Sequence, residues 1–265
     1  MRYIADNDLH IHSMLSSCSA DELQTTENIL KYAQDSGFKT ICVTDHFWDD
    51  AVEGASQWYK PQNYEHIVKA KPLPQAEGVR FLFGCETEMD KFCTLGISKE
   101  KLDLFDFIIV PTTHFHMGEF ALFDEQRESI ETLAQAWIKK LDALLNMDLP
   151  FKKMGIAHLL CSLIQKEDKG YLKVAMALDE GELKRLFTKA AKLGVGIELN
   201  QFDMNYEPED KEEALRIFKI AKSCGCKFYL GSDGHHPDQL YAAKERFEKA
   251  IDDLGLTEED KFILA

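Results

Sequence analysis

Histidines and carboxylates are the residues of this sequence whose spacing could do chemistry. They come in short sets: His10 and His12, Asp45 and His46, Glu86 and Glu88, His114 and His116, His158, Glu198, and then Asp233, His235 and His236. Of the nine histidines only His66 lies outside these sets. Two imidazoles one residue apart, as in His10 and His12, can face the same way from an extended segment. Neutral imidazoles with carboxylates nearby suit zinc, iron or manganese, whereas calcium prefers oxygen ligands alone. There are more candidate ligands than one tetrahedral ion can use. Two or three ions sharing a bridging carboxylate are therefore expected, and Glu86 is central in chain order for that role. Glu88, Glu198 and Asp45 could touch metal or could orient a ligand imidazole through its second nitrogen.

These sets sit at the ends of short apolar runs: Tyr3 to Leu9, Thr40 to Thr44, Val79 to Cys85, Phe107 to Pro111, Met154 to Leu159, Val195 to Leu199 and Phe228 to Leu230. Helix-like segments lie between them, near 25–36, 62–71, 126–147, 180–193, 209–223 and 237–250. The longest places Ile130, Leu133, Trp137, Ile138, Leu141, Leu144 and Leu145 on one side and its charges on the other. Strands alternating with helices predict a parallel sheet covered by those helices. Seven strands suit either a barrel or an open sheet; in a barrel all the C-terminal strand ends meet at one face, which would gather residues far apart in sequence. There is no GxGxxG and no GxxxxGK(S/T), so dinucleotide and P-loop chemistry are not indicated. The segment from Phe47 to Pro74, rich in Trp, Tyr, Pro and Gln, is expected to cover one side of the mouth.

A chain of 265 residues can bury one large core, and a single domain over residues 1–265 is expected. No basic start followed by an apolar run and a cleavage site is seen, and no run of 18 apolar residues, so the expectation is a cytoplasmic protein that does not span a membrane. The formal net charge of −15, from 31 basic and 46 acidic residues, disfavours long nucleic acid as a partner. An anionic ligand would need a local positive centre such as metal ions. The seven cysteines form no zinc module. No feature of the sequence sets an oligomeric state.

The motifs DLHIHS at 8–13, VTDH at 43–46, GCE at 84–86, Thr113-His114, IAH at 156–158 and GSDGHH at 231–236 resemble, in order and interval, those of the PHP superfamily, the polymerase and histidinol phosphatase domain. The resemblance covers essentially the whole chain. It implies a distorted seven-stranded (β/α) barrel, TIM-like, with the active site at the C-terminal ends of the strands and a trinuclear centre. By that pattern His10, His12, Glu86 and Asp233 would surround one ion, Glu86, His114 and His158 a second, and His46 and His235 a third. Similar proteins carry a further histidine or aspartate for the third ion, and here those positions hold Ser17 and Cys18. Cys18 could ligate as a thiolate or could point away.

The expected reaction is hydrolysis of a small phosphate monoester by water activated between two ions, with zinc, manganese or iron as the metal. His236 and His116 are candidate proton donors to the departing oxygen or supports of the ligands. Arg127, Lys166 and Lys169 are candidate phosphate grips, and Asn200 and Gln201 could line the cleft. Within the family the length and the fourth strand are similar to histidinol phosphatases, although Pro111-Thr112-Thr113-His114 departs from the GSxH usual there. Another small phosphate ester, a phosphodiester, a nucleotide or a short oligonucleotide stays open as substrate. Two rivals are an amidohydrolase, which would want a lysine on the strand ending at His114, and a metal-binding scaffold without catalysis.

Overall fold

Each apolar run forms parallel strand; the third breaks at Gly84, and a further short strand follows the second. The structure, a computed structural model, describes residues 1–19, 21–164 and 168–264. Its strands are β1 (Asn7–Ile11), β2 (Thr40–Val43), β3 (His46–Phe47), β4 (Arg80–Phe83), β5 (Cys85–Thr87), β6 (Ile108–Pro111), β7 (Met154–Ala157), β8 (Gly196–Asn200) and β9 (Lys227–Gly231). The helices are α1 (Thr26–Ser36), α2 (Tyr64–Ile67), α3 (Ile130–Leu145), α4 (Gly170–Ala177), α5 (Glu180–Leu193), α6 (Lys211–Ser223) and α7 (Pro237–Leu254). The order is α/β with parallel pairing throughout: one sheet runs β1-β2-β4, the other β3-β5-β6-β7-β8-β9.

The chain leaves the first sheet after Val43 and re-pairs as β3; the third run leaves it at Gly84 and re-pairs as β5. A Cβ at Gly84 would lie 2.4 Å from the carbonyl oxygen of Phe107, so only glycine lets the chain cross there. Helix α4 carried no clear periodic signal and was not among the expected segments. On α3 Leu133, Trp137, Leu141, Leu144 and Leu145 are buried as the pattern predicts, yet so is Lys140, whose Nζ donates to the carbonyl of Met89 at 2.7 Å. The helix is capped by Ser129, whose hydroxyl accepts from the amide of Thr132.

The strands are apolar on both faces, as parallel strands sandwiched between side chains must be. Ile41 and Val43, Phe81 and Phe83, Ile108 and Val110, and Phe228 and Leu230 join the large core that includes the buried residues of the helices. The alternate residues Cys42, Leu82, Ile109 and Tyr229 meet Leu9, Phe107, Phe262 and Leu264 in a smaller cluster fed from both sheets. β1 departs from simple alternation. Its pairing with β2 shifts register between Asp8 and Ile11, so Leu9 joins the small cluster while Ile11 joins the large one. Such a bulge re-aims a side chain; here it is His10 that it redirects. The chain after β9 then bonds to β1: the amide of Asp233 donates to the carbonyl of His10 at 2.7 Å, and that of His12 to the carbonyl of Gly234 at 3.1 Å. Asp8 accepts from the amide of Ser232 at 2.9 Å and from the hydroxyl of Tyr32 at 2.9 Å, tying β1 to both β9 and α1. Among the described residues no helix is long and apolar enough to cross a membrane.

Because Phe107 is fully buried where the two sheets share side chains, Phe107→Ala is expected to cost about 3–5 kcal/mol in urea unfolding. A loss below about 1 kcal/mol would show that the shared cluster does not hold the sheets together.

Candidate metal centre

The polar sets from the strand ends converge. His10, His12 and Glu86 form one group of potential ligand atoms within 4.8 Å of one another, Glu86, His114 and His158 a second, and His12, His46 and His235 a third. Glu86 is shared between the first two. It is 1% exposed; its Oε2 lies 2.9 Å from His46 Nδ1, 3.2 Å from His12 Nε2 and 3.5 Å from His10 Nε2, and its Oε1 3.3 Å from His158 Nε2. Asp233 Oδ1 stands 3.4 Å from His10 Nε2 and 3.2 Å from His12 Nε2.

The outer nitrogens are spoken for. His10 Nδ1 meets Glu198 Oε1 at 2.7 Å, His114 Nδ1 meets Glu88 Oε2 at 2.6 Å, and His235 Nδ1 meets the carbonyl of Asp233 at 2.8 Å. His158 Nδ1 meets Thr113 Oγ1 at 3.1 Å; that hydroxyl donates its own proton to the His158 carbonyl, so the imidazole is the donor. His12 Nδ1 meets Ser16 Oγ at 2.8 Å, and Ser16 donates onward to Asp45 Oδ1 at 2.7 Å. Each of these five rings therefore turns its Nε2 inward as a lone pair, whereas His46 faces Glu86 with Nδ1. Two such nitrogens, on His10 and His12, are only 3.1 Å apart with two carboxylates alongside. Lone pairs and anions at that spacing repel unless a cation lies among them, and outward acceptors that set the tautomer are what metal-ligating histidines need. The donor set fits a nitrogen- and oxygen-binding metal.

Without metal, protons supply part of the positive charge. Burial opposes charging of His10, but Glu198, Asp233 and Glu86 hold its pKa well above the ordinary imidazole value. His12, likewise buried, is raised to about 9 by its bonds to Asp233 and Glu86. His235 is pushed down to about 3 by burial and by His12, and His114 well below its usual range by burial and His158. Glu86, despite burial, is kept ionised by His46 and His10. Glu88, raised to about 7 by burial, is steadied by the nearby Lys140 ammonium.

Local backbone is bent to make these contacts. His158 and Asp233 have left-handed φ of 24° and 50°, which non-glycine residues rarely adopt outside constrained sites. The amide of His158 donates to Glu198 Oε2 at 2.6 Å. Glu198 itself lies against β9 so closely that a Cβ on Gly231 would sit 1.8 Å from its Oε1.

A cavity of about 650 Å³ opens over the three groups. Asn200, His116, His236 and Cys18 line it, as anticipated positions. Cys18 nonetheless belongs to none of the three groups. The turn there buries Ser16 against Asp45 and leaves Cys18 exposed, while His12 completes the group with His46 and His235. Other candidates do not reach the cavity. Arg127 is ion-paired with Asp124, Lys169 holds Asp210 at 2.6 Å, and Gln201 is buried, its amide donating to the Ser232 carbonyl. A lysine or arginine one helical turn from a carboxylate, or facing one across a loop, folds onto it rather than toward a distant cleft. Lys166 lies outside the described residues. No sequence pattern singles out Ser16, which holds His12 and Asp45, or the cavity residues Phe202 and Asp203, and composition alone flags the loop that brings Trp58 and Tyr59 to the cavity. His66, set apart by position, braces the turn by donating from Nε2 to the Leu15 carbonyl at 2.8 Å.

The family described as PHP domain matches residues 8–254. Two proteins called "Probable phosphatase" are similar. That of Caldicellulosiruptor bescii is 24% identical over 230 residues, 86% of this chain and 79% of that one; that of Caldicellulosiruptor saccharolyticus is 20% identical over 229 residues with the same shares. Among solved structures, the histidinol phosphate phosphatase of Lactococcus lactis, complexed with zinc, L-histidinol and phosphate, superposes with a TM-score of 0.65 at 17% identity, covering 96% of this chain and 95% of that one. The putative histidinol phosphatase of Listeria monocytogenes gives 0.59 at 14% identity, with 88% and 96% covered.

Metal binding should displace the protons held by His10 and His12, so affinity is expected to fall as pH drops below about 9. Zinc added to metal-free protein in weak buffer at neutral pH should release protons; no release would show that these imidazoles do not bind it. Glu198→Gln should weaken zinc affinity about 10- to 100-fold in competition with a chelator, and unchanged affinity would remove Glu198 from the support of the centre.

Proposed function

The chain belongs to the PHP domain family, and from that premise we propose that this phosphoesterase hydrolyses a small phosphate monoester at a two- or three-ion centre. The observation that carries the reading is the inward set of imidazole nitrogens around Glu86, with the outer nitrogens of His10, His12, His114, His158 and His235 already satisfied. His10, His12, Glu86 and Asp233 would hold one ion, Glu86, His114 and His158 a second, and His46 and His235 a third; His12, whose Nδ1 donates to Ser16, has one free nitrogen and would give it to the first ion. When bound, zinc, manganese or iron would lower the pKa of water and neutralise phosphoryl charge. The two sheets, joined by the small shared cluster and by the bonds from β1 to the chain after β9, support a distorted (β/α) barrel of seven strands in one domain. Its catalytic face would be the one carrying the C-terminal strand ends.

The protein's own groups bind and orient. Glu198, Glu88, Ser16 and Thr113 keep the ligand rings in one tautomer. Asn200 turns its amide to Glu198 and Asp233, at 3.3 and 3.5 Å, and so stiffens the wall of the cavity. His116, driven to about 4 by burial and by His114, is neutral at neutral pH and unsuited to giving up a proton from its charged form. His236 is the better placed candidate to serve the leaving oxygen: it is half-exposed on the cavity wall, and its Nδ1 stands 3.4 Å from Asp21, which leaves Nε2 without that partner.

The substrate is a small phosphorylated molecule. The Lactococcus structure, which holds histidinol and phosphate, makes histidinol phosphate the first ester to try, and small sugar, amino acid and nucleoside monophosphates the next. Metal-stripped protein resupplied with manganese, zinc or iron should release phosphate from one member of such a panel; silence across it would sink the monoesterase reading. His236→Asn is expected to lower kcat about 100-fold or more for an alkyl phosphate and much less for 4-nitrophenyl phosphate, whose leaving group needs no proton. Equal losses on both would remove His236 from proton transfer.

A further inference from the structure

The phosphate-binding problem is sharper in this cavity than the metal ligands alone suggest. Among the described residues no lysine or arginine lines it, in a chain with a net charge of −15. Among these lining residues, oxygens of a bound phosphoryl group that do not face metal would meet neutral donors. Asn200 has its amide turned to two carboxylates, and the Gln239 side chain accepts through Oε1 from the amide of His235 at 2.7 Å, which leaves its part-exposed NH2 as one neutral donor. Among the described residues that line the cavity, the hydroxyl of Tyr59 is a fully buried donor that is unspent.

Tyr59 is 0% exposed, lines the cavity, and its hydroxyl has no hydrogen-bond partner among the described residues. A buried phenol O–H normally finds one. The side chain has no freedom to seek another. Its ring is clasped by Trp58 edge-on at 4.8 Å, Phe120 at 5.6 Å, Trp48 at 5.8 Å and His46 edge-on at 6.0 Å. Its backbone is pinned as well: its amide donates to the Ser56 carbonyl at 3.1 Å, and its carbonyl accepts from Gln62 at 2.8 Å. A phenol, with an ordinary pKa near 10, carries its proton at neutral pH. It can therefore serve an anion only as a donor, which is what a phosphoryl oxygen requires.

Resting on the phosphoesterase reading above, we propose that Tyr59 Oη donates a hydrogen bond to a phosphoryl oxygen of the bound ester and of the phosphate product, where a cationic side chain would otherwise stand. The aromatic segment from Phe47 to Pro74 would then be part of the substrate site and more than a cover over it.

The test is Tyr59→Phe in metal-loaded protein, which removes one oxygen and no hydrogen bond among the described residues. Calorimetry with inorganic phosphate, kcat and KM for the best ester of the wild type, metal content and Tm are read together. Expected are a loss of phosphate affinity and of kcat/KM of about 10- to 100-fold, the range for a bond to a charged group, with metal content equal to wild type and Tm unchanged or higher. Phosphate affinity within twofold of wild type would overturn the assignment. So would a loss of affinity accompanied by lost metal or a lower Tm, which would mark the hydroxyl as a structural partner. If the wild type itself neither binds phosphate nor hydrolyses any ester, the phosphoesterase reading fails and this assignment with it.

Discussion

Glu86 presents both carboxylate oxygens to imidazole nitrogens of His10, His12, His46 and His158 in a place almost closed to water. Charge and lone pairs packed so closely interact strongly because little solvent screens them. The arrangement is tolerable only with cations among the donors, whether protons or metal, and only if every ring is held so that its lone pair points inward. Much of the surrounding structure follows from that requirement. Glu198, Glu88, Thr113 and Ser16 are not ligands in this geometry, yet each decides which nitrogen of a ring is free.

Holding those supports in place shapes the backbone. The bulge in β1 brings His10 inward directly after Leu9, against the usual alternation of a strand. Gly231 leaves the space into which Glu198 fits, and His158 and Asp233 adopt left-handed backbone where their strands end. The breaks after Val43 and at Gly84 let the chain change sheets just before His46 and Glu86. Irregularities of this kind cost stability locally and are offset by a core that is otherwise regular and apolar on both faces of the strands. They cluster where the candidate ligands are.

The same centre explains how an acidic protein could take an anion. The net charge acts at a distance and is screened by salt, whereas ions held among these ligands would act at contact. Cationic side chains are drawn elsewhere: Arg127, Lys169 and Lys140 each sit beside acidic or carbonyl oxygens away from the cavity. The wall of the cavity is instead aromatic and neutral on the side of Trp58 and Tyr59.

Much of this was legible in the residues. The seven apolar runs, the helices between them and the histidines at their ends are local patterns, set by the period of a strand or helix and by motifs a few residues long. The candidate ligands and the shared role of Glu86 could be read from these and from the family resemblance they carry. Which nitrogen each ring offers could not, because the partner of His10 Nδ1 is Glu198, 188 residues away, and their meeting depends on strand register, a bulge and the space at Gly231. Cys18 shows the same limit: the resemblance left open whether the thiol ligates or points away, and in the fold the turn that buries Ser16 exposes Cys18, which joins none of the three groups. The sequence by itself determined the kind of chemistry and the order of the elements that present it. Tertiary structure alone decided which donors face inward and which charges are already paired, because those depend on contacts between strands and loops that no local pattern encodes.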